Sequence, residues 1–160
     1  MNDNKTLAMK LLEGKKIAYK VETYPTDMRD AGEIAAKLGV SPAQVYKTLV
    51  VLRPLPGKPM LVMIAADHHL NLKKLAKAVG EKKVRMATHA DAEALTGLQV
   101  GGISPLALLN KGFAMFIDTA VQSQTHIYIS AGQRGLQIKI AVSDLVNTTR
   151  TRYLEVSDPS

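Results

Sequence analysis

The residues best suited to chemistry lie in three short segments that combine flexible backbone with a nearby cation. Lys47 stands at the head of an apolar run, Gly101-Gly102-Ile103-Ser104-Pro105 joins two glycines to a serine, and Ser130-Ala131-Gly132 precedes Arg134. Glycine lacks a Cβ, so a ligand can approach the backbone N–H and C=O groups directly. The three segments predict a pocket with exposed backbone, into which Lys47 would bring the positive charge that an oxyanion or a phosphate requires.

The same residues also have purely structural interpretations. A lysine at the head of an apolar strand often extends along the strand edge to solvent. Ser104 followed by Pro105 is typical of an N-cap and the first residue of a helix. The segment from Gly132 to Gly135 lacks a dinucleotide-binding fingerprint and is typical of a hairpin turn, beside which Arg134 could still reach a phosphate at the rim of the site.

Histidines, acids and serines give weaker candidates. Asp67-His68-His69 lacks the further carboxylates of a two-metal site, so we expect it to end a strand and begin a helix, and we expect no metal. On its apolar strand, His126 is expected to be a structural histidine. Ser104 or Ser130 could form a triad with a histidine and Asp118, but no Gly-x-Ser-x-Gly motif fixes such a geometry.

The chain has no cysteine, which excludes disulfides, thiolate metal sites and a cysteine nucleophile.

Composition narrows the class of protein. A chain of 160 residues corresponds to one domain, and 46% hydrophobic residues with 4% aromatic residues predict an aliphatic core rather than aromatic platforms for single-stranded nucleic acid. The net charge of +7 favours a polyanionic partner. A basic block is either a nucleic-acid face or a solvated surface; its members are Lys73, Lys74, Lys77, Lys82, Lys83 and Arg85. Residues 1–5 show no signal-peptide run and no segment resembles a membrane span, so we expect a cytoplasmic protein.

Hydrophobic periodicity places the elements that must position these residues. Helix caps are expected at Gly39, Asn71, Gly80, Thr88 and Ser143. The expected helices cover residues 6–12, 31–38, 71–79, 88–95 and 143–148, and the expected strands cover 17–23, 47–52, 60–66, 84–87, 113–118, 126–130 and 136–141. Several connections between the later strands are too short for helical crossovers, which favours a mixed or mostly antiparallel sheet.

Four separated motifs, in this order, resemble the YbaK/EbsC family of free-standing aminoacyl-tRNA deacylases, which are similar to the editing domain of bacterial prolyl-tRNA synthetases. They are Tyr46-Lys47-Thr48-Leu49-Val50, Leu70-Asn71-Leu72-Lys73-Lys74, Val100-Gly101-Gly102-Ile103-Ser104-Pro105 and the segment from Ile127 to Leu136. The resemblance runs essentially end to end. It implies a mixed α/β fold, with residues 1–160 forming one compact domain around a central, barrel-like sheet.

The resemblance also implies site residues. Lys47 matches the essential lysine of the family, and substrate-binding positions fall on Tyr24, Thr48, Gly101, Gly102, Ile103, Ser104, Pro105, Ser130 and Gly132. Two features could alter the width of the pocket: Ala131, where relatives can carry glycine, and the stiff loop at residues 53–57.

The Lys47-Thr48 pair and the Gly101–Pro105 loop look like the branch that removes cysteine from mischarged tRNA for proline, with Cys-tRNA(Cys) as a further substrate. The implied mechanism needs no cofactor, because the cysteinyl thiol attacks its own ester, and it implies a transient complex with prolyl-tRNA synthetase. Two alternatives stay open: a deacylase for another small aminoacyl group such as alanine, with water as nucleophile, and a non-catalytic RNA-binding module.

Overall fold

The computed structural model describes residues 5–160. Its helices are α1 (Leu7–Gly14), α2 (Ala31–Leu38), α3 (Leu72–Val79), α4 (His89–Thr96) and α5 (Val142–Thr149). Its strands are β1 (Lys20–Thr23), β2 (Tyr46–Leu52), β3 (Met60–Ala65), β4 (His68–Leu70), β5 (Arg85–Met86), β6 (Ala114–Asp118), β7 (His126–Ser130), β8 (Leu136–Ala141), β9 (Arg152–Leu154) and β10 (Ser157–Pro159). Short 3₁₀ helices cover Pro42–Gln44, Pro105–Ala107, Leu109–Lys111 and Thr119–Ser123.

The two predicted apolar strands form the middle of a five-stranded sheet with the order β5-β2-β3-β6-β9. Every residue of β3 is buried, as expected for a strand covered on both faces. The β2–β3 pair is antiparallel and places Lys47 opposite Ile64, whereas β3–β6 and β6–β9 are parallel. The sheet is therefore mixed, as predicted.

Two smaller sheets complete the domain. The strands β1, β8 and β7 form an antiparallel sheet with β8 in the centre, and β4 pairs with β10. A single parallel bridge between Val45 and Tyr128 joins the three-stranded sheet to the start of β2. The prediction of a mixed α/β domain is confirmed, but the sheets do not close into a barrel, because between residues 5 and 160 no other β-bridge links the two larger sheets.

Alternate residues of β3 supply different parts of the core. Met60, Val62 and Ile64 pack with Leu75 of α3, and Leu61 packs with Ala92 of α4. The side chain of Met63 joins a third cluster, formed by α1, the three-stranded sheet and α5. Both faces of the large sheet are thereby covered, and the core is aliphatic, as the composition predicts.

Sequence signals predicted most helix caps and strand boundaries correctly, but a few of these predictions were wrong. The caps at Gly39, Asn71, Gly80 and Thr88 are confirmed. Ser143, however, lies inside α5, which begins after Ala141 without a side-chain cap. Strand β1 begins at Lys20 rather than at residue 17, because the N–H of Ile17 donates to the carbonyl of Leu12 and so continues the end of α1.

Three short strands were not predicted. His68 and His69 belong to β4, so the expected strand end that opens a helix is wrong. The other two are β9 and β10 near the C-terminus, each of three residues.

None of the helices between residues 5 and 160 has the length and hydropathy that a membrane crossing requires. Residues 1–4, on which the prediction of a cytoplasmic protein partly rests, lie outside the described part of the chain.

Candidate active site

A cavity of about 230 Å³ is lined by residues from both larger sheets. Its walls come from four parts of the chain: residues 29–34 around the start of α2, residues 45–49, the loop 100–103, and the strands β7 and β8 through Ser130 and Gln137. From Lys47 to Leu49, β2 has β3 as its one partner strand among the described residues, whereas the carbonyl of Val50 accepts from the N–H of Ala87. Over these three residues the opposite edge of β2 is therefore free to present backbone groups to a ligand.

Lys47 is half-buried and lines this cavity together with Thr48, Gly101, Ile103 and Ser130. No acid lies within ion-pair distance of its ammonium group in residues 5–160. Five of the predicted site residues thus meet at one place. A charge without a counter-ion at the wall of a small cavity can act on a bound oxyanion or phosphate.

Tyr24 does not line the cavity but supports one of its walls. Gly101 has φ +91°, which favours glycine, and its carbonyl accepts a hydrogen bond from the Tyr24 hydroxyl at 3.4 Å. The backbone N–H of Tyr24 donates to the carbonyl of Gly135 at 3.0 Å. Buried Tyr24 therefore connects the loop at Gly101 to the β7–β8 hairpin.

Gly102 allows the loop to lie directly against that hairpin. A Cβ at Gly102 would lie 2.9 Å from the backbone nitrogen of Arg134 and 3.0 Å from the Cα of Gln133. The Nε of Arg134 donates to the carbonyl of Val100 at 2.7 Å, and a carboxylate oxygen of Glu93 accepts from the N–H of Val100 at 2.9 Å. Arg134 thus holds the loop, and it also lines an adjoining cleft of about 430 Å³.

The serines serve as caps of local turns. Ser104 is fully buried, and its Oγ accepts from the N–H of Leu106 as the N-cap of the turn that Pro105 begins, as predicted. The Oγ of Ser130 accepts from the N–H of Gly132, a residue with φ +98° on which a Cβ would lie 3.9 Å from the Cβ of Ser104. No histidine lines the cavity beside Ser130. The arrangement therefore offers no activated serine.

The sequence profile of the aminoacyl-tRNA editing domain matches residues 26–148. EbsC of Enterococcus faecalis, whose name gives it as a candidate Cys-tRNA(Pro)/Cys-tRNA(Cys) deacylase, is 36% identical over 96% of this chain and 93% of its own length. The chain belongs to the aminoacyl-tRNA editing domain family.

Longer relatives contain the same unit. The proline--tRNA ligase of Thermodesulfovibrio yellowstonii is 34% identical over 72% of this chain, which corresponds to 19% of the ligase. Among solved structures, a hypothetical protein superposes with a TM-score of 0.86 at 27% identity, covering 96% of this chain and 100% of that one. A candidate trans-editing enzyme for prolyl tRNA synthetase superposes with a TM-score of 0.83 at 22% identity, covering 95% of both chains, which supports the fold. The predicted family and fold are confirmed.

Two buried polar atoms of this editing domain have no hydrogen-bond partner in the described chain: Oγ1 of Thr48 and Oε1 of Gln137. Both residues line the cavity. Tyr46 also lines it, and burial, with smaller effects of the Asp118 and Asp67 carboxylates, raises the pKa of its phenol well above the ordinary value. Tyr46 therefore stays protonated at neutral pH and cannot serve as a base.

The residues of the other predicted chemistries lie outside the cavity. The carboxylate of Asp118 is buried and accepts from the N–H groups of Ala120, Val156 and Ser157, so it is not available to orient a histidine. His126 is exposed rather than the satisfied structural histidine that was expected. Within residues 5–160, no group of three or more His, Asp and Glu side chains is placed to hold a metal ion.

Sequence reasoning did not identify two parts of the wall. Arg29 and Asp30 precede α2, and Asp30 caps it by accepting from the N–H of Glu33. An aspartate before a helical segment is a recognisable cap signal, but the sequence does not show that Asp30 lies near β2. Gln137 was also missed, since it alternates with apolar residues on the same strand face as Lys139 and so looks like a solvent-facing residue.

Proposed function

We propose that this editing domain acts in trans and removes cysteine from tRNA for proline, with Cys-tRNA(Cys) as a further substrate. The observation that carries the proposal is the similarity to EbsC, which spans nearly the whole length of both chains. The proline--tRNA ligases that match are covered over about a fifth of their length. The unit would therefore edit tRNA that a separate ligase has charged. We propose that residues 1–160 act as one such unit.

The cavity is consistent with a reaction in which the substrate supplies the nucleophile. No cysteine or histidine lines it, and the Oγ of its one serine, Ser130, already accepts a hydrogen bond. In the proposed reaction the cysteinyl sulfur attacks its own ester carbonyl, an S–C bond forms, and the C–O bond to the ribose breaks. The thiol proton ends on the ribose oxygen, and the amino acid leaves as a thiolactone that water later opens. Positioning alone can contribute much of such an intramolecular acceleration.

Lys47 is proposed to stabilise the negative charge of this reaction. Lys47 is half-buried and lines the cavity together with its β2 neighbours and the loop at Gly101. Negative charge develops on the carbonyl oxygen during attack and on the ribose oxygen during cleavage, and the neighbouring phosphate is also anionic. Removing one such donor from an active site typically lowers the rate by about 10²–10³-fold.

The experiment is a panel of Cys-, Ser- and Ala-tRNA(Pro), assayed for ester hydrolysis with the wild type, Lys47→Ala and the matched control Lys37→Ala, which removes an exposed lysine of α2. We expect rapid release of cysteine, slow release of serine, and a loss of about 100-fold or more in Lys47→Ala alone.

Other results of this panel would contradict particular parts of the proposal. Equal rates for cysteine and serine would refute thiol participation, and fastest release of alanine would favour water as the nucleophile. Binding of tRNA without any hydrolysis would indicate an RNA-binding module. Unchanged kinetics in Lys47→Ala would remove the central site assignment.

Selectivity for tRNA is proposed to come from a transient complex with prolyl-tRNA synthetase. A domain of this size can contact the acceptor end but hardly reach an anticodon, and its charge of +7 attracts any RNA. Comparing hydrolysis of Cys-tRNA(Pro) and Cys-tRNA(Cys) with and without the synthetase tests this. A ratio that the synthetase does not change would count against the complex.

A further inference from the structure

Gln137 is a buried polar residue for which the fold itself provides no complete set of partners. It lies in β8, the central strand of the three-stranded sheet, opposite Glu22 on one side and Ser130 on the other. The residue is 4% exposed, it lines the cavity, and its Oε1 accepts no hydrogen bond from the described chain. Burying an unpaired amide oxygen is unfavourable, so a leucine or methionine would serve the fold better.

A second acceptor lies in the same cavity. The Oγ1 atom of Thr48 is also buried and unpartnered. Successive side chains of a strand point to opposite faces, so Thr48 and Lys47 leave β2 in opposite directions. An amide oxygen can only accept, and a hydroxyl oxygen can accept as well. A single group that satisfies both atoms must therefore carry more than one donor hydrogen.

An aminoacyl ester contains one such group near its reacting centre, the α-ammonium, whereas its thiol and each ribose hydroxyl have a single donor hydrogen. On the basis of the proposed function, we propose that Gln137 Oε1 and Thr48 Oγ1 accept hydrogen bonds from the α-ammonium of the bound aminoacyl group. This contact orients the amino acid so that its side chain faces its own ester. Because the Gln137 amide is uncharged, it does not neutralise the Lys47 ammonium group in the same cavity.

The test compares two esters on tRNA(Pro): cysteinyl, and 3-mercaptopropionyl, which keeps the thiol and the ester but lacks the α-amino group. Each is assayed with the wild type, Gln137→Met, Gln137→Glu and the control Gln122→Met, which alters an exposed glutamine outside the cavity. We expect Gln137→Met to lower kcat/KM for the cysteinyl ester by about tenfold to a hundredfold, and to leave the 3-mercaptopropionyl ester unchanged. Gln137→Glu, which keeps an acceptor, should retain the preference for the amino group.

Stability gives a readout that separates ligand binding from a structural role. Gln137→Met removes an unpaired buried oxygen, so its urea unfolding midpoint should equal or exceed that of the wild type. Equal losses on both esters, or no loss on either, would overturn the proposal. If Gln137→Met does not fold, the proposal is also overturned, because the amide would then be needed by the fold itself.

A binding measurement separates this inference from the proposed reaction. Calorimetry with cysteinylamino-adenosine, in which an amide replaces the ester, and with its deamino counterpart requires no turnover. Tighter binding of the amino compound by the wild type but not by Gln137→Met would support the α-ammonium contact even if no ester is hydrolysed. Equal binding of the two compounds by the wild type would overturn it even if hydrolysis is observed.

Discussion

Replacing Gly102 by alanine tests whether the close contact between the loop and the hairpin shapes the candidate active site. The new Cβ would lie 2.9 Å from the nitrogen of Arg134 and 3.0 Å from the Cα and carbonyl carbon of Gln133. These are backbone atoms, so no flexible side chain can move away to relieve the contact. The φ of Gly102 is not positive, and the effect is therefore steric rather than conformational.

The size of the effect follows from how the loop is held. Inserting a methyl group where no space exists typically costs about 1–3 kcal/mol. For a domain of this size, that corresponds to a fall of about 2–12 °C in Tm. The displaced loop would also weaken the bond between Arg134 Nε and the Val100 carbonyl and move Gly101 and Ile103 at the cavity wall. A misplacement of about 1 Å can lower kcat/KM by about 10²-fold.

Gly14→Ala is the matched control, because a Cβ there meets no atom within 4 Å and Gly14 has no positive φ. As Gly14 lies in α1, we expect unchanged or slightly higher stability. Urea unfolding and the rate of Cys-tRNA(Pro) hydrolysis are measured for both variants. If Gly102→Ala matches the wild type in both assays, the loop and the hairpin are not in the contact described.

Three further changes test other parts of the molecule. Arg134→Gln removes the Nε donor to Val100, so we expect a fall of about tenfold in kcat/KM and a loss of about 1.5 kcal/mol or more in unfolding free energy; an unchanged rate would show that the bond does not shape the site. Asp118→Ala leaves buried N–H groups unpaired and should cost about 2–5 kcal/mol in urea unfolding, yet the folded fraction should keep its hydrolysis rate; a stable but inactive variant would point to catalysis instead. The hydrogen bond from Lys74 lowers the pKa of Asp158 in the folded protein. The pair therefore stabilises the fold at pH values above 3.8, the ordinary pKa of this carboxyl group. This stabilisation is lost as the pH falls through the lowered pKa of Asp158 in the folded state. Asp158→Asn should therefore be less stable than the wild type at neutral pH and equal to it at strongly acidic pH, whereas a difference that persists in acid would exclude the pair as its cause.

Elements with strong local signals were predictable from the sequence. The apolar runs at β2 and β3 predicted two central strands, and the positive φ of Gly39 and Gly80 shows why glycine ends two helices. The strands β4, β9 and β10 are three residues long and form through pairing with distant segments. Because so short a strand carries no measurable alternation, its signal lies in tertiary structure and not in the sequence.

The parts of the candidate site that depend on residue type, such as glycines and a lysine, were predictable from the sequence. The parts that depend on how distant segments pack were not. Glycine pairs and a lone lysine indicated the loop at Gly101 and the cation at Lys47, and the structure places both at one cavity. The alternation in β8 sets Gln137 on the face of Lys139, away from the apolar Ile138, and suggests a solvent-facing residue. Gln137 is nevertheless buried, because the wall formed by residues 45–49 and by α2 stands across the cavity from it.

The proposed chemistry also explains how the cognate substrate would escape hydrolysis. An editing site that uses its own nucleophile must exclude prolyl-tRNA by shape, and size differences of one or two atoms discriminate only weakly. If the nucleophile belongs to the misplaced amino acid, prolyl-tRNA can enter the cavity and still not react, because its side chain has no nucleophilic atom. Serine enters equally well but reacts slowly, since its hydroxyl is a weaker nucleophile than a thiol. Such selection by reactivity requires a cavity whose walls carry no thiol and no histidine, and the lining residues between 29 and 137 include neither.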